Sequence, residues 1–282
     1  MAIYNINGTS LNDAYDIDGN SLNNAYDIDG NIVFSGQSLP IPTGDLNATS
    51  QIPLPDIYEQ GKGFTCTGLA YDGTYYYIGD IGTLVSGGTY NSKIIVTVDF
   101  INVEDTISLK SIFPNFSIVQ GVTIDTSDNT IWCCDADGGK IYHLTKQGTA
   151  IGSFSTSQPT GIAYQRSDDT LWVMNYSNKI IHMSKTGTAL QTYDFAYNET
   201  LDQCFLDEAR GYLYITAGTN YSGRNNVYVF DINTHEQFIT CTVDSYSVEG
   251  IVIEPTRMII MNDGLYHSAT VPINQANIYT LQ

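Results

Sequence analysis

Short polar side chains stand at equivalent places along this chain, each just after a run of strand-forming residues. They are Asp80, Asp135, Asp137, Asn175, Asn262 and Asp263. Carboxylate and amide oxygens can coordinate calcium or accept hydrogen bonds from sugar hydroxyls, and paired carboxyl groups can act as acid and base in glycoside cleavage. Short polar residues also end strands and turn the chain without any further role. The sequence leaves ligand binding, ion binding and catalysis open beside this plain structural role.

Signatures of familiar catalytic sites do not occur in the chain. There is no Gly-x-Ser-x-Gly, and the pair His235-Glu236 has no second histidine at the spacing a zinc peptidase needs. His143 and His182 take the same place in two consecutive repeats, which indicates a structural role. The five cysteines contain no Cys-x-x-Cys and indicate neither a disulfide framework nor a zinc site. We therefore predict no enzyme, no catalytic residue and no cofactor, with calcium as the one ion the polar residues could hold.

Two insertions are rich in Tyr, Gly, Ser and Asn and lie at 83–92 and 219–224. Tyrosine supplies a large contact area at low entropic cost, and its ring face stacks on sugars, so this composition is typical of recognition loops. We predict that Tyr90 and Tyr221 belong to a ligand-binding surface, although the same composition also suits a neutral flexible loop.

The elements that position these residues repeat about every 40 residues. Gly121 and Gly161 are 40 residues apart, and so are Trp132 and Trp172. Short β-type runs at this period are the signature of propeller blades. The sequence predicts an all-β fold, a β-propeller over 51–282 with five blades, or six as the alternative. An apolar run at 51–58 is available to complete the last blade by pairing with the C-terminal strand, which would remove free edges from the ring.

A second, different repeat occupies residues 1–36. Tyr4, Tyr15 and Tyr26 are 11 residues apart, and each unit turns at Asn-Gly or Asp-Gly, the strongest short hairpin signal. Ile17 and Ile28 follow two of these tyrosines. Such small hairpins cannot bury a core alone, so we predict a hairpin module for docking or oligomerisation through these five residues. The Asp-x-Asp-Gly strings do not match an EF-hand loop, which needs Gly at position 6 and a closing Glu. Residues 37–50 are predicted to be a linker.

Both repeats resemble known families. Pro-x-Gly-Ile-Ala at 159–163, Leu-Trp-Val at 171–173, Asn-Lys-Ile at 178–180 and Gly187 resemble the NHL-type propeller repeat and are similar to SdiA-regulated and phytase-like propellers. This resemblance implies a fold whose members include binders, scaffolds and hydrolases. The Tyr-Asp-Ile-Asp-Gly-Asn units resemble tandem repeats of phage virion and bacterial surface proteins. That second resemblance implies an attachment module in front of an exchangeable domain.

The charge of the chain limits its partners. Thirty acidic residues face 11 basic ones, a net charge of −19, which disfavours nucleic acid and anionic membranes. No apolar leader follows Met1, and no stretch is long enough to span a membrane. We expect a protein made in the cytoplasm without a signal peptide, located on a virion or an extracellular surface, and homo-oligomeric.

The function that these patterns favour is a non-enzymatic virion or surface appendage, such as a tail fibre. Its N-terminal repeat would dock into other assembly proteins, and its propeller would bind a host cell-surface glycan or protein. One alternative is a propeller hydrolase that acts on glycans or phosphate esters with rim carboxylates. Another is a filament-forming structural subunit whose short repeats pair edge to edge.

Overall fold

The computed structural model describes residues 24–26, 32–35, 39–54, 66–82, 84–85, 89–217, 223–263 and 274–281. Within them the chain forms strands almost throughout. Two strands of the N-terminal repeat, β1 (Asn24–Tyr26) and β2 (Ile32–Ser35), pair antiparallel across the Asp-Gly position of the third unit. The predicted assembly residues Tyr4, Tyr15, Ile17 and Ile28 lie outside the described residues. Two further strands precede the ring, β3 (Gly44–Leu46) and β4 (Ser50–Pro53).

Five antiparallel sheets follow in chain order, which confirms the all-β propeller with five blades. The first blade contains β5 (Cys66–Tyr71), β6 (Tyr76–Asp80), β9 (Lys93–Thr97) and β10 (Val103–Ser108). Its insertion forms a small hairpin of β7 (Leu84–Val85) and β8 (Thr89–Tyr90), and the helix α1 (Leu109–Ile112) leads to the second blade.

The next two blades are the matched repeats. The second contains β11 (Val119–Asp125), β12 (Thr130–Asp135), β13 (Lys140–Thr145) and β14 (Ala150–Ser155). The third contains β15 (Pro159–Gln165), β16 (Thr170–Asn175), β17 (Lys179–Ser184) and β18 (Ala189–Asp194). Asn129 and Asp169 take the same left-handed conformation in the first hairpin of each blade, where φ is 60° and 56°. Short polar residues tolerate this conformation best after glycine, which explains why the turns repeat with the strands.

The fourth blade contains β19 (Cys204–Asp207), β20 (Tyr212–Thr216), β21 (Asn225–Asp231) and β22 (Gln237–Val243). The fifth contains β23 (Val248–Glu254), β24 (Arg257–Asn262) and β25 (Gln275–Thr280). The first strand of every blade lies innermost, and each inner strand contacts the inner strands of both neighbouring blades, so that β5, β11, β15, β19 and β23 close a ring around one axis.

The hydrophobic core is divided among the blade interfaces. Five clusters of buried side chains occur in the described residues, and each draws its members from two adjacent blades. Trp132 and Trp172, the markers of the repeat, are buried in two consecutive clusters. A blade therefore has no core of its own and is stable only between its neighbours.

The N-terminal segment completes the ring. Strand β4 pairs antiparallel with β25, from Ser50 opposite Ile278 to Pro53 opposite Gln275, so the fifth blade closes as expected. Strand β3 adds to the fourth blade, parallel to β22. Gly44–Leu46 lies within the stretch 37–50 that the sequence suggests is a linker, so part of this stretch is built into a sheet.

Candidate functional site

All five inner strands begin at the same end of the axis, and a β-bulge marks this end in four blades. The ladder shifts register at Thr67–Gly68, Gln120–Gly121, Thr160–Gly161 and Glu249–Gly250. The pairing of the first two strands of the fourth blade shows no such bulge. There Thr216 binds the residues that precede the inner strand: its N–H donates to the carbonyl of Gln203, and its carbonyl accepts from the N–H of Asp202, both at 3.0 Å. Each blade therefore presents a polar residue at the start of its inner strand.

Close backbone contacts join these starts into a ring. A Cβ atom on Gly121 would lie 2.6 Å from the carbonyl oxygen of Thr160, and one on Gly161 would lie 2.9 Å from that of Asp202. A Cβ on Gly250 would lie 2.8 Å from the carbonyl oxygen of Thr67. No side chain fits at these glycines, because the backbone of the next blade occupies the space. The glycines thus bring the polar residues together around the axis. We call Thr67, Gln120, Thr160, Gln203 and Glu249 the axial ring; all five are buried.

Two more carboxylates adjoin Glu249. The hydroxyl of Thr216 donates to the carbonyl of Glu249 at 2.8 Å, and the same threonine holds Asp202 through its own carbonyl. Asp263 follows Asn262, which pairs with Val248, the neighbour of Glu249. Glu249 and Asp263 are buried, whereas Asp202 is half-buried.

Burial and mutual repulsion act on these acids in the same direction. Burial raises the pKa of Glu249 well above its usual range, and the charges of Asp202 and Asp263 raise it further. The pKa of Asp263 is also raised well above normal, by burial and by Asp202. Burial and then Asp263, Glu249 and Asp80 raise the pKa of the Cys66 thiol in the first blade. Burial and mutual repulsion therefore favour the protonated, uncharged form of these acids at this end of the propeller axis.

Two members of the axial ring carry buried oxygens that lack a hydrogen-bond partner in the described part of the protein. They are Oε1 of Gln120 and Oγ1 of Thr160. Thr67 and Gln203 instead use their side chains between blades, donating to the carbonyls of Val119 and Thr160 at 3.2 and 3.3 Å. A buried acceptor without a donor costs free energy, so the two oxygens mark a place suited to a ligand or to water.

The polar residues predicted from the sequence to bind a ligand lie at this same end, but most of them bind backbone N–H groups instead. Asp80, Asp135, Asn175 and Asn262 are the last residues of the second strands. The Asp135 carboxylate accepts hydrogen bonds from the N–H groups of Ser117, Ile118 and Gly138 at 3.0–3.1 Å. Asn175 accepts two from Ser177 and Lys179, and Asp80 accepts one from Gly82. These side chains hold the turns that follow the strands.

The other predicted residues fall in different places. Asp137 is exposed, and Asp263 adjoins Glu249. Tyr90 ends β8, while Tyr221 lies outside the described residues. The sequence analysis missed Gln120, Thr160, Asp202 and Glu249. A usable signal was present, because a polar residue directly precedes the glycine that opens the inner strand in four blades.

A second group of potential ligands lies at the opposite end of the blades. Oxygen and nitrogen atoms of Asp125, Asp128 and His143 lie within 4.8 Å of one another. All three are engaged. Asp125 accepts a hydrogen bond from Trp132 at 3.2 Å and pairs with Lys185 at 2.8 Å. Thr130 donates to Asp128 at 2.5 Å and shares a 2.6 Å hydrogen bond with His143. Burial would raise the pKa of Asp125, but the hydrogen bonds from Lys185, Ser127 and Trp132 lower it below its usual value.

The third blade repeats this arrangement with one acid fewer. Thr170 bonds to His182 at 2.7 Å, and Trp172 donates to Gln165 at 2.6 Å, where the second blade has Asp125. Each histidine stacks on the tryptophan of its blade, with ring centroids 3.8 and 4.5 Å apart. These contacts give both histidines a structural role, with partners that the sequence alone did not reveal.

Comparisons with known proteins establish the fold and no more. No family model and no curated protein matches the chain. Among solved structures, glutaminyl cyclase of Myxococcus xanthus is similar with a TM-score of 0.58 and 10% identity, covering 84% of this chain and 100% of that one. The WD40 repeats of RRP9 and the structure of U3-55K each give a TM-score of 0.48, at 16% and 15% identity. This chain matches 62% and 63% of their lengths, from 75% and 77% of its own.

The similarity to glutaminyl cyclase concerns the fold alone, and the NHL-type and phage-type resemblances stay predictions. Within the described residues, no helix has the length and apolar character needed to cross a membrane.

Proposed function

We propose that this protein is a non-enzymatic recognition subunit of a larger assembly, such as a virion appendage or surface fibre. In this proposal the N-terminal repeat docks into the assembly. The acidic propeller is displayed outward and binds a host cell-surface glycan or protein at the end of its axis where the inner strands begin.

The observation that carries this proposal is the path of the N-terminal segment. After the repeat, the chain adds β3 to the fourth blade and β4 to the fifth before it enters the ring. Side chains reinforce this path. Arg224 donates to Asn47 and to the carbonyl of Leu46, and Thr240 donates to the carbonyl of Pro42 at 2.6 Å. The segment that follows the repeat is therefore held on the propeller by two hydrogen-bonded ladders, at Gly44–Leu46 and Ser50–Pro53, which is suited to holding a binding domain on a support.

The arrangement at this end of the axis supports recognition more than catalysis. Most strand-end carboxyl and amide groups are committed to backbone N–H groups, so they hold loops in place. The remaining polar groups form a buried ring of mixed chemistry, which resembles the few convergent polar groups of a ligand site.

Removal of residues 1–36 tests the docking half of the proposal. The truncated protein should fold and lose incorporation into the native particle, as measured by co-purification and electron microscopy. A full-length variant with Tyr4, Tyr15 and Tyr26 changed to Ser keeps the turn residues and should show the same loss. Unchanged oligomeric state and unchanged particle attachment in both variants would refute the docking role.

The binding half needs a separate measurement with the full-length protein. Labelled protein should bind host cells and a defined set of surface glycans or proteins, and soluble propeller should compete. Absence of saturable binding to any host surface would refute it.

One observation favours a hydrolase as the second candidate. The buried carboxyl group of Glu249 has a raised pKa, the property that a general acid requires. A turnover screen with polysaccharides and phosphate esters, run with and without chelator, distinguishes the two functions. Cleavage that is lost in Glu249→Gln would replace our proposal with an enzyme.

A further inference from the structure

A cavity of about 200 Å³ lies between the inner strands β5, β11, β15 and β19. Its outer part is formed by Tyr71, the last residue of β5, and by Thr126 and Glu208, which directly follow β11 and β19. Thr126 is exposed, and Tyr71 and Glu208 are half-buried. The cavity therefore opens at the end of the axis where the inner strands finish, opposite the axial ring.

Aromatic residues of three different blades line this cavity. They are Tyr71, Tyr164 and Phe205. The hydroxyl of Tyr71 donates to the carbonyl of Gly73, and that of Tyr164 donates to the carboxylate of Asp169, both at 2.8 Å. These hydrogen bonds hold two of the rings in place, so the rings offer contact area with little further loss of side-chain entropy when a ligand binds.

The cavity carries little net charge. Among the described residues that line it, Glu208 is the only one with a charged side chain. Its carboxylate accepts hydrogen bonds from the N–H groups of Arg166 and Ser167, at 2.9 and 2.6 Å. Burial raises the pKa of the Cys204 thiol, which also lines the cavity and stays uncharged. A ligand for this cavity is therefore uncharged.

Backbone groups supply hydrogen bonds inside the cavity. In the part of the chain that the structure describes, each inner strand pairs only with the second strand of its blade. Its other edge faces the axis with N–H and C=O groups that no ladder uses. The N–H of Tyr164 on this edge donates to the hydroxyl of Thr123 in the preceding blade at 3.3 Å, and both residues line the cavity. A wholly apolar ligand would leave such backbone groups without partners, so the ligand must combine apolar faces with hydroxyl or amide groups.

The volume of the cavity limits the size of the ligand. A cavity of about 150 Å³ holds one benzene ring, whereas a drug-sized ligand occupies about 300–1,000 Å³. The cavity of about 200 Å³ between the inner strands therefore accommodates one six-membered ring with its substituents.

We propose that this cavity binds one neutral sugar ring. The C–H faces of the sugar contact Tyr71, Tyr164 and Phe205, and its hydroxyl groups bond to the free edges of the inner strands and to the hydroxyl of Thr126. This site goes beyond the proposed function, which assigns binding to the opposite end of the axis.

Sugars that differ in one charge test the site on the full-length protein. Methyl glycosides of glucose, galactose and mannose are each compared with the corresponding uronate by ligand-observed NMR at neutral pH, with cyclohexanol as an apolar ring. At least one neutral glycoside should bind saturably. Its uronate should bind about tenfold more weakly, because Glu208 and the net charge of −19 repel a carboxylate.

Methyl resonances of the unchanged protein locate the bound sugar. Leu69 and Val122 line the cavity, and their signals should shift as the sugar is added. Val119, at the other end of strand β11, and Val243, at the end of β22, are the controls and should not shift. Shifts at Val119 without shifts at Val122 would place the sugar at the axial ring and overturn the inference.

Variants test the aromatic contacts. Tyr71→Ala and Phe205→Ala should each weaken binding by about fivefold or more, the value of one aromatic contact. Tyr75→Ala removes an exposed tyrosine from the turn that follows β5, outside the cavity, and should leave binding unchanged. Thermal melting verifies that each variant is folded. If one of them is not, the other variant and the methyl shifts of the unchanged protein still decide.

Three further results would refute a sugar site in this cavity. The first is the absence of saturable binding by every neutral glycoside, with or without binding of cyclohexanol. The second is equal binding of the glycosides and their uronates. The third is binding that both Tyr71→Ala and Phe205→Ala leave intact in folded protein.

Discussion

Lysines of two blades reach back to acids of the preceding blade. Lys185 of the third blade pairs with Asp125 of the second at 2.8 Å, and Lys146 of the second pairs with Asp72 of the first at 2.6 Å. The two lysines are 39 residues apart and occupy the same hairpin in consecutive repeats. Because the Asp125 side chain is fully buried, its charge depends on this partner. A chain with only 11 basic residues uses two of them to neutralise acids at blade interfaces.

Loss of one such lysine should therefore be costly. Lys185→Met keeps the aliphatic stem but leaves the Asp125 carboxylate buried without its cation, and we expect a loss of about 3 kcal/mol or more in the free energy of unfolding. The control is Lys179→Met, which breaks an ion pair with Asp194 whose two side chains are 39% and 83% exposed. Exposed pairs contribute about 0–1 kcal/mol. Urea denaturation measures both, and equal losses would show that burial does not determine the value of these pairs.

Glu249 and Asp263 predict the opposite pH dependence of stability from an acid such as Asp125, whose pKa is lowered in the folded protein. Their folded-state pKa values lie above the unfolded values of about 4. Between those values the folded protein binds more protons than the unfolded chain, so stability is full below about pH 4 and declines as pH rises through the raised pKa.

Replacement of Glu249 by Gln removes one of these titrations. We expect Glu249→Gln to gain stability relative to the unchanged protein as pH rises from 5 to 8, with Asp202, Asp263, Asp80 and Cys66 as the titratable groups around it. Urea denaturation at several pH values measures the difference in the free energy of unfolding. The titration of His143 and His182 contributes equally to both proteins and does not affect this difference. Asp137→Asn serves as the exposed control. A difference that stays constant with pH would contradict the assignment of a raised pKa to Glu249.

At the scale of the element, the bulge with its glycine is the unit that brings the blades to the axis. Inner strands pair on one side only, and their starts must pass within contact distance of the next blade. Glycine is required there because a Cβ would meet backbone atoms, which cannot move aside as a flexible side chain can.

Gly121→Ala tests this requirement. The added Cβ would lie 2.6 Å from the carbonyl oxygen of Thr160 and 2.9 Å from the N–H nitrogen of Ile162. We expect a loss of about 2 kcal/mol or more, since overpacking against a fixed backbone forces the blades apart. Gly152→Ala in the exposed strand β14, where a Cβ would meet nothing within 4 Å, should be neutral or slightly stabilising. Similar losses at both positions would indicate a propensity effect and not close approach.

How far the sequence predicts an element depends on whether the element repeats. The matched strands around Trp132 and Trp172 were predictable because apolar periodicity and turn residues recur together. The pairing of Gly44–Leu46 with β22 was not, since this segment has few apolar residues and its partner lies almost 200 residues away. The candidate site divides in the same way. The strand-end acids predict at which end of the blades the candidate site lies. Gln120, Thr160 and Glu249 were not predictable, because they differ in residue type and share only their place before a glycine.

At the scale of the whole molecule, the five blades differ in whether a further strand pairs with their outer edge. Among the described residues, no further strand pairs with β10, β14 or β18, the outer strands of three blades, and each of them has a bulge in its pairing with the neighbouring strand. Bulges on edge strands hinder pairing with another copy, which argues against filament growth through these blades. The outer edges of the fourth and fifth blades are covered by β3 and β4.

Two truncated proteins distinguish the role of the N-terminal repeat in attachment from the role of β3 and β4 in closing the propeller ring. Because every blade relies on its neighbours for a core, opening the ring at one blade should weaken the whole. Removal of residues 1–36 leaves β3 and β4 in place, so this protein should unfold in one cooperative transition at nearly the original temperature. Removal of residues 1–54 deletes both strands and also Leu54, a buried member of the cluster between the fifth and first blades. We expect a much lower melting temperature or a loss of cooperativity, measured by calorimetry and near-ultraviolet circular dichroism. If both truncated proteins melted alike, β3 and β4 would be dispensable for closure, and their pairing with the fourth and fifth blades would no longer support the proposed display of the propeller.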